Sequence, residues 1–195
     1  MNYHRINCST QLLNQAKFEA GNIPSFIAER WNNVHEGATE GGMVSELCSK
    51  IWLNDNGIPF DDVRKINRYI DFILGSGITL DVKNVDRHAQ PRPDYMCNVN
   101  VKRSVYQNPD FYMFTSTYSA AGNPDKSIGR FMRTYIVGFM EAERFKDEAT
   151  IVVAGEVHDQ SEMVCNEDMY NIPIESTITP AEFAETYHGT LRSKG

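Results

Sequence analysis

The chain has 195 residues, of which 41% are hydrophobic and 23% charged. That profile implies one ordinary domain (1–195) with a full hydrophobic core, and it argues against disorder. The net charge is −7, which argues mildly against nucleic acid as a partner, and no run approaches the roughly 18–20 apolar residues that span a bilayer.

In chain order, residues 10–20 have helical character that Pro24 interrupts, and the stretch after it to Trp31 reads as a second helix start. Residues 43–54 form a helix whose expected buried stripe is Met43, Leu47 and Ile51, with Val44 and Cys48 beside it. Gly57-Ile58-Pro59 ends it. Residues 69–85 then place two apolar-rich runs around Gly75-Ser76-Gly77, the pattern of a β-hairpin. Pro91-Arg92-Pro93 is loop, and 110–117 and 135–140 are strands. A short helix follows over 141–148. The segment to 178 is expected to be irregular, and Thr179-Pro180-Ala181-Glu182 resembles a capped helix start. This order of elements predicts an α/β domain, a central mixed β-sheet flanked by helices.

No apolar run follows Met1–Arg5, so no secretory signal is expected and a cytoplasmic location is the default. The cysteines at 8, 48, 97 and 165 contain no CxxC pair and read as free thiols. Charge is unevenly spread. Residues 141–195 hold 12 acidic and 4 basic residues, whereas 1–140 hold 14 and 15. Within 81–103 the bases Lys83, Arg87, Arg92, Lys102 and Arg103 outnumber Asp81, Asp86 and Asp94. That local excess suits either a solvated loop or a phosphate-facing surface.

The hairpin carries the chemistry. With the turn at Gly75-Ser76-Gly77, Leu74 pairs with Ile78, Ile73 with Thr79, Phe72 with Leu80 and Asp71 with Asp81. Ile70, Phe72, Leu74, Ile78, Leu80 and Val82 then share an apolar face, and Tyr69, Asp71, Ile73, Thr79, Asp81 and Lys83 share the other. A slip of one residue would mix the two sets. Opposed carboxylates about 4.5–5.5 Å apart at Cβ repel. A retained proton, the ammonium of Lys83 or a bridging divalent cation such as Mg²⁺ or Mn²⁺ can each relieve that repulsion. A solvent-facing strand with an Asp–Lys pair fits the spacing equally well.

Asp71, ten residues before Asp81, together with Asp81-Val82-Lys83, resembles the core of the PD-(D/E)xK nuclease superfamily, members of which occur in phages and bacteria. Ile70 stands where the name-giving proline would be, and Asp81 replaces the commoner glutamate. The resemblance covers roughly residues 36–150, leaving an acidic C-terminal extension over 151–195. It implies a restriction-endonuclease-like fold and Mg²⁺- or Mn²⁺-dependent hydrolysis of phosphodiester bonds in DNA. Asp71, Asp81, the main-chain carbonyl of Val82 and Glu46 on the preceding helix would hold the metal. Glu36 and Glu40 rival Glu46 if that helix begins earlier. Lys83 would position the attacking water or stabilise developing charge. Asn84, Arg87, Arg92, Lys102 and Arg103 would contact nucleic acid. Gln107 and Tyr106 are further possible contacts that receive no assignment. Nucleases of this kind often cut both strands as pairs, so a homodimer is one expected arrangement. The alternative is a catalytically inactive nuclease-fold protein that binds nucleic acid or protein.

Overall fold

The computed structural model describes residues 3–22, 36–67, 69–120, 128–157 and 164–192. The expected helix start at Pro24–Trp31 lies outside them. The chain begins with a short strand, β1 (His4–Asn7), and helix α1 (Thr10–Gly21). Ser9 caps α1 by accepting a hydrogen bond from the Leu12 amide at 3.2 Å. Helix α2 (Glu36–Asp55) starts seven residues before the sequence-based bound at 43. Its buried stripe runs Met43, Val44, Leu47, Cys48, Trp52 and Leu53, and Ile51 is 37% exposed. Ile51 follows the i+4 rule from Leu47, but steps of four drift around a 3.6-residue helix, and Trp52 takes the inward place.

Three strands follow as an antiparallel meander: β2 (Phe60–Asp62), β3 (Phe72–Leu74) and β4 (Thr79–Arg87). The hairpin register is the expected one, with Phe72 opposite Leu80 and Ile73 opposite Thr79. The turn closes with the Gly77 amide donating to the Leu74 carbonyl at 2.7 Å. Gly77 has φ +88°, a conformation that only glycine adopts without strain. After β5 (Met96–Asn100) and the short helix α3 (Val101–Ser104), strand β6 (Phe111–Ser119) returns parallel to β4. Strand β7 (Phe131–Glu141) then runs antiparallel to β6 and leads into α4 (Ala142–Glu148). The sheet order is β1-β7-β6-β4-β3-β2.

The segment expected to be irregular contains β8 (Thr150–Val152) and β9 (Met169–Pro173), which join β5 in a second sheet of order β5-β9-β8. Helix α5 (Pro180–Arg192) ends the described chain, and a capping box opens it. The Thr179 hydroxyl donates to the Glu182 carboxylate at 2.6 Å, and the Glu182 amide donates back to Thr179 Oγ1 at 3.3 Å. The acidic C-terminal segment is woven into the fold, since Phe183 of α5 stacks on Phe139 of β7 at 4.0 Å.

The main sheet is covered on both faces. Helices α1, α2 and α5 pack on the face that carries Phe72, Leu74, Leu80, Val82, Met113 and Ile136. The small sheet and α4 cover the opposite face, where Tyr112, Phe114, Tyr135 and Val137 meet Cys97, Val99, Phe145 and Ile172. The architecture is therefore mixed α/β with a central mixed sheet. No helix among the described residues is long and apolar enough to cross a membrane.

Close approach fixes one glycine in β7. A Cβ built on Gly138 would stand 1.8 Å from Thr177 Oγ1 and 3.3 Å from the Ile178 carbonyl, where the chain crosses the strand before α5. Gly138→Ala is expected to cost about 1–3 kcal/mol by overpacking. Gly21→Ala, with no atom within 4 Å of the new carbon, should be neutral or slightly stabilising. Urea denaturation of the two variants checks both.

Candidate functional site

Strand β4 alternates between the two covered faces. Leu80 and Val82 point into the helix-side core, and Asp81 and Lys83 point to the side of Tyr112 and Phe114. Asp81 is 1% exposed and lies beside Tyr112 in the parallel ladder. Lys83 Nζ stands 2.6 Å from Asp81 Oδ2, with the lysine side chain 16% exposed. The same ammonium donates to Gln107 Oε1 at 2.8 Å and lies 5.6 Å over the Tyr112 ring. Asp81 Oδ2 has no aligned hydrogen bond, and Gln107 Nε2 and the Tyr112 hydroxyl are buried without a partner. Burial, reinforced by the charge of Asp81, pushes the Tyr112 phenol up, so it stays a protonated donor. Ion pair, amide and phenol thus form a buried polar cluster with unused hydrogen-bonding capacity, which is costly without a ligand or water.

Asp71 is 8% exposed and stands on the adjacent strand segment, but not squarely across from Asp81 on the sheet face. The β3–β4 ladder ends at Phe72. The Asp71 amide donates to the Leu80 carbonyl at 2.9 Å, and Asp71 Oδ2 accepts from the Val82 amide at 2.7 Å. A side-chain oxygen therefore takes the place of the next main-chain acceptor. The expected direct opposition of the two carboxylates becomes an arrangement in which Asp71 grips the backbone between Asp81 and Lys83.

The basic residues divide. Arg87 is spent inside the protein, donating to the Met96 carbonyl at 2.6 Å and lying 4.6 Å over Tyr95, with burial pulling its guanidinium down. Arg92 is exposed, pairs with Asp94 at 2.9 Å and covers the other approach to Tyr95. Asn84 faces the helix side. Its Oδ1 accepts from the Thr115 and Thr117 hydroxyls at 3.0 and 2.8 Å, and its amide donates to Asp86 at 2.7 Å. Lys102 is exposed and Arg103 half-buried on α3, five and four residues before Gln107. Of the five residues proposed to contact nucleic acid, these two lie in the segment that leads to the Lys83 contact.

Gln107 and Tyr112 enter the site without having been assigned to it. The alternation in Phe111-Tyr112-Met113-Phe114 puts Tyr112 and Phe114 on one face of a strand. Nothing local reveals that this strand pairs with β4.

Glu46 points elsewhere. Arg64 donates to Glu46 Oε2 at 3.0 Å and also pairs with Glu19 at 3.2 Å and Asp62 at 2.8 Å, and Lys50 pairs with Asp62 at 2.8 Å. Arg64 also stacks 5.8 Å over Phe72, on the helix side. Glu40 pairs with Arg130 at 3.3 Å. Asp71, Asp81 and Glu46 form no common group: among the described residues no three acidic, histidine or cysteine side chains gather. Nothing is described of the Glu36 side chain.

No protein-family model, curated protein or solved structure matches this chain.

The Arg64 cluster sets an acid dependence. Burial alone would raise the Asp62 carboxyl, but hydrogen bonds and charge from Arg64 and Lys50 outweigh it and hold the group well below the usual carboxylate range. A depressed folded-state value contributes stability above the unfolded value, near 4. That contribution is lost as pH falls from there through the lowered folded value. Asp62→Asn should therefore be less stable than wild type at pH 7, by on the order of 1 kcal/mol after allowance for partial exposure. The gap should narrow in urea titrations repeated at pH 3.

Proposed function

We propose that this protein is a metal-dependent nuclease that hydrolyses phosphodiester bonds in DNA, built on a restriction-endonuclease-like fold. One observation carries the reading: an aspartate and a lysine two residues apart on a central strand are buried together among polar groups whose hydrogen-bonding capacity is unused. A buried ion pair of this kind is a weak contributor to stability, so a functional reason for keeping it is favoured. The order of elements agrees: a helix precedes the meander, the Asp-x-Lys strand is its last, and the next strand of the main sheet lies parallel beside it.

Mg²⁺ or Mn²⁺ fits the donor set, because such ions take one or two carboxylates and keep several waters. Asp81, whose Oδ2 lacks an aligned donor, Asp71 and the Val82 carbonyl would hold it. Glu46 is left out because Arg64 engages its carboxylate. The metal, when bound, would lower the pKa of a water and offset charge on the phosphate. Asp71 fixes the strand through the Val82 amide. Gln107 orients the Lys83 ammonium, which would hold the attacking water or the developing negative charge. Lys102 and Arg103 would guide the phosphate backbone to this side of the sheet.

A second reading has its own support. Asp81 is almost wholly enclosed and, among the described residues, belongs to no group of three acidic, histidine or cysteine side chains, as suits a nuclease-fold protein that binds nucleic acid or a protein without cutting.

One assay separates the two readings. Plasmid, linear and single-stranded DNA are incubated with Mg²⁺ or Mn²⁺ and with EDTA, and the melting temperature is followed on adding Mn²⁺. The nuclease reading expects metal-dependent cleavage that falls about 10²–10⁴-fold in Lys83→Ala and Asp81→Asn. It also expects a Mn²⁺-induced thermal shift in wild type that Asp81→Asn lacks. Intact DNA in every lane, with no shift, would overturn it in favour of the non-cutting binder.

A further inference from the structure

The turn that delivers Gln107 to Lys83 also presents two large side chains to solvent. Asn100 caps α3 by accepting from the Arg103 amide at 2.9 Å. The Tyr106 and Gln107 amides both donate to the Arg103 carbonyl, at 3.0 and 3.1 Å, so the helical winding continues past Ser104 to Gln107. Ser104 and Gln107, three apart on one side of that winding, are buried at 3% and 1% exposure. Val105 and Tyr106 between them are 73% and 67% exposed.

A single exposed apolar residue is ordinary on a protein surface; the setting of this pair is what gives it meaning. Gln107 Oε1 accepts from the Lys83 ammonium at 2.8 Å, and Tyr106 is its chain neighbour, about 3.8 Å away between α-carbons. Lys102, exposed, and Arg103, half-buried, stand in the same turn, and among the described residues neither forms an ion pair. The acids nearest the start of α3 are engaged elsewhere. Glu167 accepts from Asn100 Nδ2, and Asp168 Oδ1 accepts from the Ala154 amide at 2.8 Å. An uncovered ring and two unpaired cations therefore border the recessed Asp81–Lys83 pair.

We infer, on the footing of the nuclease reading above, that Lys102, Arg103 and Tyr106 form a platform for single-stranded DNA, with the Tyr106 ring stacked on an unpaired base and the two cations on flanking phosphates. Depth and chemistry both select the single strand. Asp81 is 1% exposed and the Lys83 side chain 16%, so a phosphodiester reaches them only by dipping into the protein surface. A duplex is stiff over that length and keeps its base faces stacked on one another, leaving none for the ring. A single strand bends locally, and every base offers a π-face that an aromatic side chain can hold. The cations match the phosphate charge without reading sequence.

The test is binding by the full chain in EDTA, where no metal-dependent cleavage occurs. The probe is a fluorescein-labelled DNA strand of mixed sequence, about 16 nucleotides long, alone or annealed to its complement, followed by anisotropy. The single strand is expected to bind about tenfold more tightly than the duplex or better, and Tyr106→Ala to weaken it about 5–100-fold with little effect on the duplex. Tyr106→Trp should restore binding, and Lys102→Ala should flatten the dependence of log Kd on log salt by about 0.7. Because Tyr106 is largely exposed, the melting temperature of Tyr106→Ala should stay at the wild-type value, which separates lost stacking from lost folding. Equal affinity for both forms of DNA, or a Tyr106→Ala protein that binds the strand as wild type does, would refute the platform even if the protein cuts DNA. No binding of either form would also refute it, and would leave Val105 and Tyr106 as a contact for another protein. Single-strand binding that depends on Tyr106 in a protein that never cleaves would refute the nuclease reading and keep the platform.

Discussion

The 2.6 Å approach of Lys83 to Asp81 takes place inside the protein, and that placement constrains most of what surrounds it. A carboxylate and an ammonium out of water need each other, and they need dipoles to complete their coordination. The strand bearing them must therefore be central, with a parallel neighbour on one side to bring Tyr112 alongside and a connection carrying Gln107 to the lysine. It must also place apolar side chains on its other face, where α2 packs. Strand β4 meets both conditions by simple alternation: Leu80 and Val82 go to one core, Asp81 and Lys83 to the polar cluster. Asp71 then secures the Val82 amide at the point where the hairpin ladder gives out.

The two faces handle polarity differently. Beneath α2, hydroxyls and thiols are chained. Asn84 holds Thr115 and Thr117, Thr117 meets Thr134 at 3.1 Å, and Thr134 meets Cys8. These are neutral contacts whose capacity is largely met. Around Lys83 the groups are charged and capacity remains. The helix side also encloses the Arg64–Glu46 ion pair, so charge is buried on both faces: around Arg64 it is matched by carboxylates, around Lys83 by fewer partners.

The hairpin was legible because its signals are local. Gly77 dictates the turn, and period-two alternation sorts the residues before and after it onto two faces. The departure at Asp71 was not legible, because the pattern of side chains gives parity but not where a ladder stops. Strands β1, β2, β5, β8 and β9 were missed because they are three to five residues long and partly polar, and for β1 and β5 the partner also lies far along the chain, as Met96 to Pro173 shows. The internal partners of Asn84 and Arg87, two residues read as nucleic-acid contacts, were hidden on the same ground. Their partners, Thr115 and Thr117 for one and the Met96 carbonyl for the other, belong to strands whose positions the local sequence does not specify. Glu46 had the right helix, but Arg64, arriving from the loop after β2, claims it.

The first strand pairs with the last strand of the main sheet, His4 opposite Ile136 and Asn7 opposite Arg133. During synthesis β1 has no partner strand until well over a hundred more residues have followed. Helices α1 and α2 can form on their own timescale, but the floor on which they rest is incomplete until β7 leaves the ribosome. Closing so long a loop carries its entropic cost before any contact repays it. Until β7 is made, the sheet that supports the apolar stripe of α2 lacks its β1–β7 edge, a period in which association with other chains or with a chaperone competes with completion of the sheet.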